Sequence, residues 1–266
     1  RLKDRWIEEC QLDAWYLLEY ITGISKASYY GDPNRELSAA QAEEYRKCIE
    51  KRSERIPLQH ITGVQEFMGH EFFVNEHVLI PRQDTEILVE HTLDKVEDGK
   101  KVLDMCTGSG CILLSILKRY QVRGTGADIS SEALQVAERN RKHLALPRVE
   151  WLQSDLFEKI EEKYDVIVSN PPYIQTGVIE SLQEEVRLHD PYIALDGKED
   201  GLYFYRRIIE DAKAYLEDGG WLLFEIGYDQ AEPVTRLMEQ AGYSEIHVKK
   251  DLSGLDRVAG ARYNKN

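Results

Sequence analysis

Residues 170–173 read Asn-Pro-Pro-Tyr, and they follow directly on the apolar run Tyr164-Asp165-Val166-Ile167-Val168-Ser169. Two prolines fix φ and remove two N–H donors, so the backbone here offers carbonyls alone. The side-chain carbonyl of Asn170 adds a further acceptor. A rigid acceptor cradle of this kind suits the two N–H bonds of an NH₂ group, held by Asn170, Pro171 and Pro172. Tyr173 supplies an aromatic face against which a planar group packs. Pro-Pro alone marks an ordinary turn; the flanking Asn and Tyr at a strand end carry the chemical reading.

Three further segments have residue types that fit a bound nucleoside. Val102-Leu103-Asp104-Met105-Cys106-Thr107-Gly108-Ser109-Gly110 is an apolar strand running into a glycine turn that opens a helix. Glycines let the backbone approach a ligand closely, and a helix N-terminus favours a carboxylate. Taken alone, this segment reads equally well as a structural tight turn. Leu113 stands where the dinucleotide fingerprint requires glycine, which disfavours a nicotinamide or flavin dinucleotide. Asp128 ends the next strand and can accept hydrogen bonds from both hydroxyls of a ribose. Its alternative, an N-cap, is already served by Ser130 or Ser131. In Ser154-Asp155-Leu156-Phe157, Asp155 can accept from an adenine amino group while Leu156 or Phe157 packs on the ring. A solvated turn acid accounts for Asp155 equally well on local grounds.

These residues need a frame. Beyond Asp98-Gly99, strand patterns at 101–105, 124–128, 149–152, 164–169, 221–226 and 244–248 alternate with helical ones at 111–119, 131–143, 202–216 and 230–241, and a last short strand falls at 257–259. Such alternation implies right-handed βαβ units and a mostly parallel sheet covered on both faces. Before it, Trp6, Ile7, Cys10, Ala14, Leu17, Leu18 and Ile21 form a helical stripe. Gly31-Asp32-Pro33-Asn34 signals a turn, and Ser38 caps a second helix through Tyr45, Cys48 and Ile49. Between the two regions, Phe67, Phe72, Phe73, Val74, Val78, Leu79 and Ile80 are β-formers broken by Gly69-His70 and Asn75-Glu76, which predicts a hairpin. Asp84 is then placed to cap a helix through Ile87, Leu88 and His91. The expected division is a helical domain over residues 1–60, a hairpin linker over 61–82 and an α/β domain over 83–266.

The chain carries 34 basic and 48 acidic residues, a net charge of −14, which disfavours a nucleic acid as direct substrate. Its four cysteines have no C-x-x-C spacing and its seven histidines do not cluster, so neither a disulfide framework nor a metal site is expected. No apolar run approaches the roughly 20 residues of a membrane span. The first residues carry no secretory-type apolar stretch, and a cytoplasmic location is expected.

Together these residues resemble a class I methyltransferase with the Asn-Pro-Pro-Tyr amino-methylation motif, and within that class the HemK-type (PrmC) glutamine-N5 methyltransferases of peptide chain release factors. Val78-Leu79-Ile80-Pro81-Arg82-Gln83-Asp84-Thr85-Glu86 is similar to the family's linker signature, with Gln83 where Pro is usual. Asp200-Gly201-Leu202 with Tyr205-Arg206, Phe224-Glu225-Ile226-Gly227, and Asp251-Leu252-Ser253-Gly254 with Asp256-Arg257 resemble its later segments. Two departures stand out: Cys106 where the family usually has Gly, and Asp196 where a second Gly often precedes the position of Gly197.

The resemblance implies a Rossmann-like sheet of seven strands, mostly parallel, with a small N-terminal helical domain that engages the protein substrate. It implies S-adenosyl-L-methionine as methyl donor and S-adenosyl-L-homocysteine as product, with Cys106, Thr107, Gly108, Ser109, Gly110, Asp128, Asp155, Leu156 and Asn170 as cofactor contacts. It also implies a release-factor Gly-Gly-Gln loop as partner, whose Gln amide is methylated with Asn170, Pro171 and Tyr173 as catalytic residues; a monomer is expected. The loop chemistry alone leaves two alternatives: an adenine-N6 methyltransferase acting on DNA or RNA, and a non-catalytic adaptor that binds S-adenosylmethionine.

Overall fold

The computed structural model describes residues 2–5, 7, 9–32 and 34–265. Trp6 of the helical stripe and Pro33 of the turn signal lie outside the described residues. The chain forms two compact units: Arg1–Val64 with Gln183–His189, and Gln65–Leu182 with Asp190–Asn266.

The first unit is helical, with α1 (Cys10–Thr22), α2 (Lys26–Gly31), α3 (Ala39–Ser53), α4 (Leu58–Thr62) and, from the distant segment, a helix at Glu184–His189. Ser38 caps α3 as expected: its hydroxyl accepts from Gln41 N, and the Gln41 side chain accepts from Ser38 N. Leu17 and Ile7 of the stripe are buried. The distant helix belongs here because Arg52, itself buried, donates to Asp13 at 2.7 Å and to Glu185 at 3.1 Å, and Arg55 reaches Glu185 at 3.1 Å. The six-residue α2 was not anticipated: Lys-Ala-Ser-Tyr-Tyr-Gly has no apolar repeat, and only the Ser25 cap announces it.

The second unit opens on a hairpin, β1 (Val64–Phe67) and β2 (His70–Phe73). Met68 and Gly69 turn it with φ of 51° and 72°, the paired positive values of a tight hairpin turn. Phe67 and Phe72 are fully buried against Leu88, Val89 and the sheet, so the hairpin is part of this core. Each such side chain contributes on the order of 2 kcal/mol by its burial. Val74 to Ile80, expected to extend the hairpin, forms no strand. These residues find no backbone partner in a sheet, and Val74 and Val78 instead pack on Ala133 and Val136. The next helix, α5 (Gln83–Leu93), starts from Arg82, so Asp84 lies in its first turn and does not cap it.

A seven-stranded sheet follows, built of β3 (Lys101–Met105), β4 (Arg123–Asp128), β5 (Glu150–Gln153), β6 (Tyr164–Ser169), β7 (Leu216–Glu225), β8 (Ser244–Lys250) and β9 (Asp256–Arg262). Its order is β5-β4-β3-β6-β7-β9-β8, parallel except where β9 runs antiparallel between β7 and β8. The helices α6 (Cys111–Arg119) and α7 (Ser131–His143) have the expected bounds. Short helices α8 (Thr176–Ile179), α9 (Glu184–His189, already placed in the first unit) and α10 (Tyr192–Leu195) precede α11 (Tyr203–Tyr215) and α12 (Ala231–Gln240). Side chains alternate between faces along each strand. Val102, Val166, Val168 and Leu223 bury toward α5 and α6, whereas Leu103, Ile167, Leu222 and Phe224 bury toward α11 and α12.

Candidate active site

The chain runs outward from β3 to β4 and β5, then returns to β6 on the other side of β3. This reversal leaves a crevice at the carboxyl ends of β3 and β6, where open α/β sheets bind ligands. Met105 and Ser169 are paired in register, and Ser169 Oγ donates to the Met105 carbonyl at 2.7 Å. The glycine turn and the Asn-Pro-Pro-Tyr loop therefore leave the sheet side by side. A cleft of about 1010 Å³, counting its open mouth, lies there, large enough for a ligand of nucleoside size or more.

Cys106, Thr107, Gly108, Ser109, Asp128, Asp155, Leu156, Asn170 and Pro172 all line this cleft. Gly110, Pro171 and Tyr173 do not. Gly110 begins α6 with φ of 78°, and a Cβ there would stand 3.1 Å from Ala137 Cβ; its contribution is the turn itself. Tyr173 packs against the buried cluster under α11, and its hydroxyl donates to Glu225 Oε1 at 3.2 Å. Among the described residues no donor bonds the Pro171 carbonyl, whereas the Tyr173 carbonyl accepts from Gln230 Nε2 at 3.0 Å.

Asp128 is held by two backbone donors, Gly108 N and Ser130 N, each at 2.9 Å and each on a different carboxylate oxygen. A carboxylate has about four acceptor positions, so roughly two remain for a ligand. Burial raises its pKa, and the backbone bonds pull against that rise. Beneath the turn, Asp104 is fully buried; Thr107 Oγ1 donates to its Oδ2 at 2.6 Å and its Oδ1 has no partner among the described residues. Burial pushes its pKa up to about 7, and the nearby charge of Asp128 adds to the rise. Asp155 at the tip of the third strand accepts from Arg207 at 3.0 Å. Ile129, Leu79, Ile112 and Phe204 supply apolar wall between these acids.

Cys106 takes φ of 61°, in the left-handed region. That geometry accounts for the family's usual glycine at this position, because a Cβ there costs about 1–2 kcal/mol. Asp196 poses no such conflict: its φ is −75°, and its carboxylate accepts from Thr176 Oγ1, Lys198 N and Lys198 Nζ.

Residues given no role of their own from sequence complete the wall and its support. Arg82 binds Asp190 at 2.6 Å and so holds the segment whose Pro191, Ile193 and Ala194 rim the cleft. Thr85 lines the cleft beside Asn170, and Glu225, fully buried at the end of β7, accepts from Thr85 at 2.5 Å. The available signal for Glu225 was a lone acid in an apolar strand, since buried acids persist only with partners.

The sheet order and the acids at its strand tips define a methyltransferase of the Rossmann-like class. A Pyrococcus furiosus methyltransferase of known structure shares the fold, with a TM-score of 0.58 and 17% identity over 86% of this chain and 100% of that one. Models of the PrmC N-terminal domain and of the methyltransferase small domain match residues 1–63 and 82–187. The release factor glutamine methyltransferase of Geobacter sulfurreducens is 39% identical over 98% of this chain and 92% of its own length. That of Clostridium acetobutylicum is 43% identical over 92% and 89%. The chain belongs to the release factor glutamine methyltransferase family.

Proposed function

We propose that this chain methylates the side-chain amide nitrogen (N5) of the Gln in the Gly-Gly-Gln motif of peptide chain release factors. The observation that carries the reading is Asn170 in the cleft wall, its Oδ1 free of partners among the described residues, beside the acid-rimmed glycine turn. When bound, S-adenosylmethionine supplies a sulfonium methyl that passes to the amide nitrogen, the C–S bonding pair staying on sulfur and a proton leaving the nitrogen to water at the open mouth of the cleft. The residues present fit that donor. Asp128 has acceptor capacity left for a ribose diol, and Leu156 and Ile129 flank an aromatic ring.

An amide nitrogen is a poor nucleophile because its lone pair is delocalised into the carbonyl. Asn170 Oδ1 and the Pro171 carbonyl accept its two N–H bonds, orienting the nitrogen toward the methyl and favouring pyramidalisation. Rate enhancement then comes from placement, and no His or Lys base is needed.

The helical unit docks the release factor, a reading supported by Tyr16, Tyr20, Tyr29 and Tyr30, exposed aromatic residues of the kind enriched in interfaces. The same reading has the chain acting in the cytoplasm as a monomer. The test is incubation with methyl-labelled S-adenosylmethionine and, in parallel, release factor, DNA and tRNA, followed by mass spectrometry. Label on the Gly-Gly-Gln glutamine is expected, and Asn170→Ala abolishes it while cofactor binding persists. Label on nucleic acid alone, or normal turnover by the variant, overturns the assignment or the cradle respectively.

A further inference from the structure

We propose that Thr85, held by Glu225, sets which end of the Asn170 side-chain amide faces the substrate, a positioning role that rests on the function proposed above. The two ends of an Asn amide have nearly the same shape, so sterics alone do not choose between them. Only one end is useful here: Oδ1 toward the substrate accepts an N–H, whereas Nδ2 there would set donor against donor.

Hydrogen-bond logic makes the choice. Thr85 has one hydroxyl proton, and it goes to Glu225 Oε2 at 2.5 Å. What remains at Thr85 Oγ1 is lone pairs. Asn170 Nδ2 stands 3.4 Å from that oxygen, and only the NH₂ end can face it favourably. Oδ1 is then left as the open acceptor in the wall. The direction of the relay originates at Glu225, whose carboxylate can only accept while it is ionised. Its other oxygen takes the Tyr173 hydroxyl at 3.2 Å, so both ends of the Asn-Pro-Pro-Tyr loop lead to one buried carboxylate. Burial raises the Glu225 pKa, and the Thr85 hydroxyl, the Arg257 charge and the Tyr173 hydroxyl pull against that rise. Thr85 comes from α5 and Glu225 from β7, 140 positions apart, so the pair exists only in the folded sheet.

The test compares Thr85→Val, which keeps the shape and loses the hydroxyl, with Thr85→Ser, which keeps the hydroxyl. In the productive orientation Thr85→Val leaves Asn170 Nδ2 facing a methyl group, an unmet donor that lowers kcat about tenfold or more. The dissociation constant for S-adenosylmethionine is expected to stay near wild type, the melting temperature to fall because the buried Glu225 carboxylate loses a donor, and Thr85→Ser to recover kcat to within about threefold. A merely structural Thr85 would instead lower the melting temperature while leaving kcat of the folded enzyme at its wild-type value. Wild-type kcat in Thr85→Val, or equal loss in Thr85→Ser, overturns the proposal. The side-chain NH₂ resonances of Asn170 give a second readout without turnover: slowed exchange in the wild type, lost in Thr85→Val. If the wild type fails to methylate the release-factor Gln, the function falls, and these resonances still decide the orientation; unchanged exchange in Thr85→Val refutes it.

Discussion

Gly197→Ala tests how tightly the Asn-Pro-Pro-Tyr loop is held. Gly197 donates its N–H to the Ile174 carbonyl at 2.7 Å, next to the bridge between Ile174 and Asp196. Its φ lies outside the left-handed region, so alanine adds no backbone strain, and the effect is steric. A Cβ built there stands 2.7 Å from both Tyr173 C and Tyr173 Cα, whereas ordinary contact begins at 3.4 Å. The deficit, 3.4 − 2.7, is about 0.7 Å, and both atoms are backbone, so no side chain can swing aside. Since a 1 Å misplacement costs on the order of 100-fold, scaling in log rate gives a loss of about 25-fold in kcat. Cofactor affinity should hold, because Gly108 and Asp128 sit on the β3 and β4 tips and do not touch this contact. The assay is single-turnover methyl transfer at saturating S-adenosylmethionine, with cofactor titration by calorimetry alongside. Gly177→Ala, at a position with no atom within 4 Å of the added Cβ, is the control and should be silent. A Gly197→Ala enzyme with wild-type kcat would mean that the loop is not positioned through Tyr173.

Two other outcomes follow from the turn after β3. At Cys106, with φ of 61°, Cys106→Gly should unfold at higher urea than Cys106→Ala, by about 1 kcal/mol, the reverse of the usual order of these residues. Asp104 has its folded pKa raised by burial to about 7, so the stability tied to its protonated form is present at low pH and is lost as pH rises through that value. Between about pH 5 and about pH 8, the cofactor-free wild type should therefore lose roughly 3 kcal/mol relative to Asp104→Asn in chemical unfolding; parallel pH profiles would refute it.

The parts of this fold legible in sequence are those written in local pattern. Strand β3 is a short, mostly apolar stretch ended by a glycine turn, and α6 and α7 begin at a glycine and a serine cap, so their bounds follow from neighbouring residues. The Asn-Pro-Pro-Tyr loop was legible for the same reason. Val74 to Ile80 misled because β-forming residues cover a surface as readily as they pair, and only the presence of a partner strand distinguishes the cases. The pairing of Thr85 with Glu225 was out of reach for another reason: it exists only once β7 brings a carboxylate under α5. Glu185 is similar. In sequence it is one acid among Gln-Glu-Glu, and its value lies in two arginines more than a hundred positions earlier.

That last helix also bears on how the chain can be divided. Because the helical unit recruits Glu184–His189 from between β6 and β7, a single cut after Val64 yields no intact unit. The excised piece keeps Arg52 with Asp13 and forfeits Glu185, leaving a buried guanidinium half compensated. Exchanging the helical unit of this methyltransferase therefore takes two joints and a matched helix in the middle of the recipient. The same interleaving sets a rule for divergence: Arg52, Arg55 and Glu185 must drift as a group, so the helical unit inherits a constraint from a segment between β6 and β7.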